Sequence, residues 1–172
     1  YDRLRDHKVF EKSAYIYNCL DFSPYKSRDI KKRNIVTFMG GLRVTKGFHI
    51  LAKVWKEVVK EVPDAELHVM GGSKLYDENA STGNFGIADE KYEKRFMPYL
   101  LDDNGKVMNS VKFLGVLNGE EKINAINETK VGIANPSGFG ETFCISAIEF
   151  EAMKVPVVSC KKNGLLDTVE DG

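Results

Sequence analysis

Beyond residue 34 the apolar positions switch repeatedly between two spacings. Residues 34–39 (Asn-Ile-Val-Thr-Phe-Met) form a short, β-branched run suited to a buried strand. From His49 the apolar residues Ile50, Leu51, Val54, Trp55, Val58 and Val59 recur at helical spacing to about Glu61. Pro63-Asp64-Ala65 turns the chain, and residues 66–70 read as the next strand. Strand, glycine loop, helix, turn and strand make a βαβ unit. The alternation continues with a helix over 90–101 bent at Pro98, a strand over 111–115, a helix over 120–127 and a strand over 130–135. Another helix begins near Ile145, Val155-Pro156-Val157-Val158 reads as a strand, and 165–171 as a final helix. This order predicts an α/β fold, a doubly wound, mainly parallel sheet with its ligand crevice along the carboxyl ends of the strands.

The remaining stretches are polar. Residues 1–33 are basic, interrupted by Ala14-Tyr15-Ile16-Tyr17, a predicted short strand. Residues 23–33 read as an exposed linker with Lys26, Arg28, Lys31, Lys32 and Arg33 as solvated charges. Residues 73–89 are rich in Gly, Asn, Ser and Asp with Tyr76 and Phe85 interleaved, a long loop that either covers a ligand or decorates the surface.

Composition removes several function classes. With 25 basic and 25 acidic residues the formal charge is zero, so no nucleic acid or anionic membrane is implied as a partner. Cys19, Cys144 and Cys160 are widely spaced and fit a reducing, cytoplasmic compartment better than a disulfide framework. Neither they nor His7, His49 and His68 have metal-ligand spacing, and His68 reads as a core or edge histidine. No apolar run approaches a membrane span and no signal peptide opens the chain. The abrupt, charged start and the end at Asp171-Gly172 read as those of a fragment.

The chemistry concentrates in residues 136–160. Pro136, Ser137, Gly138 and Gly140 make a turn that runs into a helix carrying Ile145, Ile148 and Ala152 on one face. Glu149 falls beside Ile145 and Met153 on that apolar stripe, whereas Glu151 points to the opposite, solvated side. Glu141 precedes the helix, where a carboxylate complements the helix dipole. The spacing fits two arrangements: Glu141 as a cap with Glu149 in an internal salt bridge, or both carboxylates lining one cleft at the helix end. Gly40-Gly41-Leu42-Arg43-Val44-Thr45-Lys46-Gly47 is a second glycine loop, which lacks the G-x-G-x-x-G pattern of dinucleotide sites but sets Lys46 and backbone amides at a helix N-terminus.

Pro136, Ser137, Glu141, Phe143, Glu149, Ala152, Pro156, Val157 and Val158 fall in register with the E-x7-E signature of family 4 glycosyltransferases, which this stretch resembles. Pro156 fixes that register on Glu149, so the Glu151-Ala152-Met153 triplet is out of phase. Cys144 and Lys154 stand where the family has glycines. Lys46-Gly47 is similar to the end of the family's Gly-Arg-Leu-x-x-x-Lys-Gly, with Gly41 in the arginine position. Asn18, Asp21 and Phe22 are similar to the family's interdomain crossing, Val111 to Gly115 to its Val-x-Phe-x-Gly, and the tail to its Gly-Gly-x-x-Glu-x-Val-x-Asp-Gly.

The resemblance implies a Rossmann-like domain, the C-terminal half of a retaining GT-B enzyme. Residues 1–33 would be the linker and end of an N-terminal domain, and 34–172 the nucleotide-sugar-binding domain, truncated at its C-terminal end. It implies that Glu149 bonds the donor ribose and that Glu141, the catalytic residue, contacts the transferred sugar. Lys46, with Arg43 near Gly41, would neutralise the diphosphate, helped by the amides of Phe143 and Cys144. Val116 and Leu117 would pack on the base, or equally belong to the core. The donor is a nucleotide-diphosphate sugar, the partner is the protein's own acceptor-binding N-terminal domain, and no metal or cofactor is implied. The fragment alone is expected to transfer nothing, and any membrane-peripheral association would come through the missing part. Two other readings remain: a nucleotide-sugar epimerase or phosphorylase of the same fold, whose tight glycine signatures are not found, and a non-catalytic module, which Gly41, Cys144 and Lys154 favour.

Overall fold

The computed structural model describes residues 5–73 and 81–171. Five strands, β1 (Ile35–Met39), β2 (Glu66–Met70), β3 (Val111–Gly115), β4 (Val131–Ile133) and β5 (Val157–Val158), form one sheet in the order β3-β2-β1-β4-β5. Every pairing is parallel, with Ile35 opposite Glu66 and Val36 opposite both Leu67 and Val131. The helices are α1 (Phe48–Glu61), α2 (Glu90–Phe96), α3 (Gly119–Glu128), α4 (Ile145–Ala152) and α5 (Leu165–Thr168). The chain is therefore a Rossmann-like α/β domain, and strand order reverses between β1 and β4.

Side-chain alternation along the strands sorts the core into two layers. Phe38, Leu67, Val69 and Val111 pack with Phe48, Trp55, Tyr92 and Phe96 of α1 and α2. The next residues along, Met39, Met70 and Leu114, meet Ile126 of α3 and Phe150 of α4 on the other face. Thr37, fully buried in β1, shares a 2.6 Å hydrogen bond with Thr129 after α3, which satisfies both hydroxyls inside the sheet's cover.

Several predicted elements differ. Ala14 to Tyr17 make no strand: the sheet's order does not include them, Ile16 is 90% exposed, and Tyr17 stacks at 5.4 Å on Phe143 instead. The predicted 90–101 helix ends its α-turns at Phe96 and tightens to a 3₁₀ turn over Met97–Tyr99, where Pro98 supplies no N–H. The final helix closes at Thr168, and β5 begins only at Val157 because the Val155 N–H is taken by the Phe150 carbonyl. Residues 23–33 are not simply exposed. Tyr25 packs against the α3–α4 layer, and the Arg28 N–H donates to Asn127 Oδ1 at 3.0 Å. Of the long loop, 74–80 with Tyr76 lie outside the described residues. Its last part is folded onto α2 by buried Glu93, which accepts the N–H groups of Phe85, Ile87 and Ala88. His68 is a buried histidine bonded to Glu66 at 3.1 Å.

Candidate functional site

A cleft of about 320 Å³ opens at the carboxyl ends of β1, β2, β3 and β4, over the point where strand order reverses. Its walls come from Met39-Gly40-Gly41 after β1, Met70-Gly71 after β2, Val116-Leu117-Asn118 after β3, Asn135 after β4, and the 141–146 turn that starts α4. Gly41, Lys46, Val116, Leu117, Glu141, Phe143, Cys144 and Glu149 all line it. Arg43 does not; it is exposed outside the cleft.

Backbone geometry fixes Lys46 there. Lys46 ends a 3₁₀ turn (Val44–Lys46), and Gly47 follows at φ 76° to begin α1. A Cβ on Gly47 would stand 2.6 Å from the Ser137 nitrogen, so only glycine lets the two loops approach this closely. The closeness puts Lys46 Nζ 2.7 Å from Glu141 Oε2.

Glu141 is 8% exposed and fully engaged. Oε2 also accepts from Asn135 Nδ2 at 2.8 Å, and Oε1 accepts from the Cys144 N–H at 3.1 Å. Burial pushes its pKa up, but Lys46, Asn135 and the Phe143 amide outweigh that and hold the carboxyl below its ordinary value. Asn135, 2% exposed and at φ 40°, is itself oriented by Ser137 Oγ and the Gly138 N–H on its Oδ1. Asparagine tolerates that left-handed backbone better than most residues.

Glu149 sits one helical stretch further on, 6% exposed. Tyr25 O–H donates to its Oε1 at 2.5 Å, and Lys122 Nζ forms an ion pair with the same oxygen. Burial alone would depress the Lys122 pKa, yet the bond to Glu149 carries it upward. Both arrangements open to the sequence thus coexist in part: Glu141 holds the N–H of the N-cap residue of α4 and Glu149 is salt-bridged, while both carboxylates line one cleft. Cys144 caps α4 in the left-handed region (φ 71°, ψ 69°), and burial pushes its thiol pKa up, so it is a neutral, inert wall. Lys154 lies away from the cleft, at the exposed end of α4.

Lys122, Asn135 and Tyr25 were not singled out from sequence. Asn135 closes a strand beside the turn, which flags it; Lys122 and Tyr25 carry no local signal, since only the fold brings them to Glu149.

The family model for glycosyl transferases group 1 matches residues 22–172. The chain belongs to this family. No curated protein matches it in sequence. Among solved structures similar to this group 1 domain, HepE from Anabaena, crystallised with UDP, is 22% identical with a TM-score of 0.66, over 90% of this chain and 40% of that one. The C-terminal domain of LpcC, a group 1 glycosyl transferase from Francisella tularensis, is 15% identical, TM-score 0.64, covering 89% and 76%. Sucrose-phosphate synthase from Thermosynechococcus elongatus is 22% identical, TM-score 0.63, covering 88% and 35%. The chain thus spans well under half the length of HepE and of the synthase. These likenesses establish the fold, that of a GT-B glycosyltransferase's C-terminal domain. Among the described residues, no group of three or more His, Cys, Asp or Glu is arranged to hold a metal ion, and no helix is long and apolar enough to cross a membrane.

Proposed function

We propose that this chain is the donor-binding half of a retaining, family 4 hexosyltransferase that takes a sugar from a nucleotide-diphosphate sugar. The observation that carries the reading is the pairing in one cleft of two buried carboxylates, Glu141 and Glu149, each with its own lysine, at a helix N-terminus over the strand-order reversal. The UDP bound by HepE supports a nucleotide as the ligand class.

In this reading the base packs on Val116 and Leu117, and Glu149 accepts hydrogen bonds from the ribose. The diphosphate lies between Lys46 and the amides of Phe143 and Cys144. Those donors are engaged by Glu141, so phosphate oxygens replace the carboxylate on them. Glu141, released toward the sugar, stabilises positive charge at the reacting carbon, while Lys46 and the helix N-terminus stabilise the departing diphosphate. No metal or cofactor is required by this scheme. Arg43 takes no part in it, and Lys46 is the cation the loop supplies. The acceptor comes with a separate N-terminal domain, joined through the segment ahead of β1 in a cytoplasmic enzyme that needs both halves for transfer.

Calorimetric titration of the chain with UDP-, GDP- and ADP-sugars, repeated with Glu149→Ala, tests this. Binding of one nucleotide class, lost in the variant, is the expected result; affinity that survives loss of both Glu149 and Lys46 overturns the site map. A second reading, nucleotide-sugar binding without catalysis, is favoured by Gly41 where a cation is expected. Donor binding by a two-domain protein that transfers to no acceptor would select it.

A further inference from the structure

Among the described residues Glu149 receives two hydrogen bonds from outside its own helix, and both end on one oxygen. Tyr25 reaches Oε1 from the segment ahead of β1, and Lys122 reaches it from α3. Three parts of the chain, separated by as many as 124 residues, meet at this atom. Among the described residues no hydrogen bond reaches Oε2, although Glu149 lines the cleft. Tyr25 is itself anchored, packed against the buried cluster that includes Ile126, Phe150 and Val155. Burial, followed by the bond to Glu149, pushes its phenol pKa up, so at neutral pH it remains a donor. A carboxylate this buried is costly without a cation, and Lys122 supplies it.

We propose that Tyr25 and Lys122 are positioning residues that fix the Glu149 carboxylate through Oε1 and leave Oε2 to accept the diol of a donor's ribose. The inference rests on the reading of Glu149 as the ribose contact. A glutamate held at one oxygen has already lost the rotational freedom that binding would otherwise remove, so the bond to ribose is not weakened by that ordering cost. Neither residue touches the ligand in this scheme; each acts through Glu149.

The test is calorimetric titration of the 172-residue chain with UDP, GDP and ADP and with the 2′,3′-dideoxy form of each, which lacks the hydroxyls Oε2 would accept. Wild type is expected to prefer one nucleotide over its dideoxy form by roughly tenfold or more, the range for a hydrogen bond to a charged group. Tyr25→Phe removes a single O–H; it should cut that preference to about threefold while leaving dideoxy affinity unchanged, and Lys122→Met should cut it further. A merely structural role would weaken both ligands together and preserve the ratio. A preserved ratio in Tyr25→Phe overturns the proposal, and this variant decides alone if Lys122→Met does not fold. A wild type that binds nucleotide without preferring ribose, or binds none, overturns the Glu149 reading itself and the inference with it.

Discussion

Lys154 stands at φ 55°, in the left-handed region, immediately after α4. Its N–H donates to the Glu151 carbonyl at 2.9 Å, and the next N–H, of Val155, donates to Phe150 at 3.0 Å. With Met153 as C-cap these are the two reversed bonds of a Schellman motif, and Val155 and Phe150 make its accompanying apolar contact. The position calls for glycine, which explains why the similar family pattern has one there. A side chain in this backbone region costs roughly 1–2 kcal/mol, while glycine loosens the unfolded chain by about 0.4–1 kcal/mol. Lys154→Gly should therefore stabilise the fold by about 0.8 kcal/mol, the centre of the difference, or roughly 2–3 °C in Tm for a domain of this length. Urea and thermal denaturation measure it, with Lys154→Ala as control, which keeps the strained φ and should change stability by less than about 0.5 kcal/mol. Nucleotide affinity should not change, because Lys154 is outside the cleft. A Lys154→Gly variant no more stable than the alanine control would refute the strain argument, and altered nucleotide binding would refute the separation of this position from the site.

Cys144→Gly changes another left-handed position, this one inside the cleft wall. Relief of strain there is offset by loss of a buried side chain, so stability should stay within about 1 kcal/mol while calorimetry shows donor affinity rising a few-fold as the helix N-terminus opens. Lys46→Met should lower nucleoside-diphosphate affinity roughly tenfold at low salt and less at high salt, with the affinity for the bare nucleoside unchanged. Glu66 is held down to about 2, chiefly by the Lys112 hydrogen bond, with His68 and Arg33 adding to it. Its folded-state value is below the unfolded one, so its contribution is complete above the usual 4.5 and disappears as pH falls through about 2. Glu66→Gln should cost about 1–2 kcal/mol at pH 7, allowing for the exposure of Arg33 and Lys112, and only a small fraction of that near pH 2; denaturation at both values checks the sign.

What the sequence made legible follows from how local each signal is. The β1–α1–β2 unit is written in spacing that changes from strand to helix and back within a few residues, and β2 and β3 fall at the predicted bounds. Tyr15 and Tyr17 misled because β-propensity describes a residue's fit to a sheet surface, and among the described residues no strand lies beside them to provide one. Glu141 and Glu149 could be found because both sit on one helix, where eight residues of spacing translates into direction. Lys122 and Tyr25 could not, because their proximity to Glu149 is created by the packing of α3 and of the segment ahead of β1, and nothing in their own neighbourhoods records it.

That difference bears on how the cleft handles charge. Judged from the loop after β1 alone, Gly41 removes a cation and leaves Lys46 facing two carboxylates. The fold corrects the count by bringing Lys122 from α3, so each buried carboxylate has one lysine. The two pairs are not equivalent. Lys46 and the Cys144 amide are joined on Glu141 by Asn135, so when both turn to a phosphate in the proposed scheme the carboxylate keeps Asn135 and faces the charge developing on the sugar. Among the described residues Glu149 has Tyr25 alone beside Lys122, and moving that lysine would leave a buried charge on one phenolic hydrogen bond. Lys46 is therefore the cation free to exchange partners, and Lys122 the one that stays. A diphosphate entering this cleft gains one lysine and a helix N-terminus rather than two cations, which makes the amides of Phe143 and Cys144, and the side chain crowding them, the decisive part of the anion site.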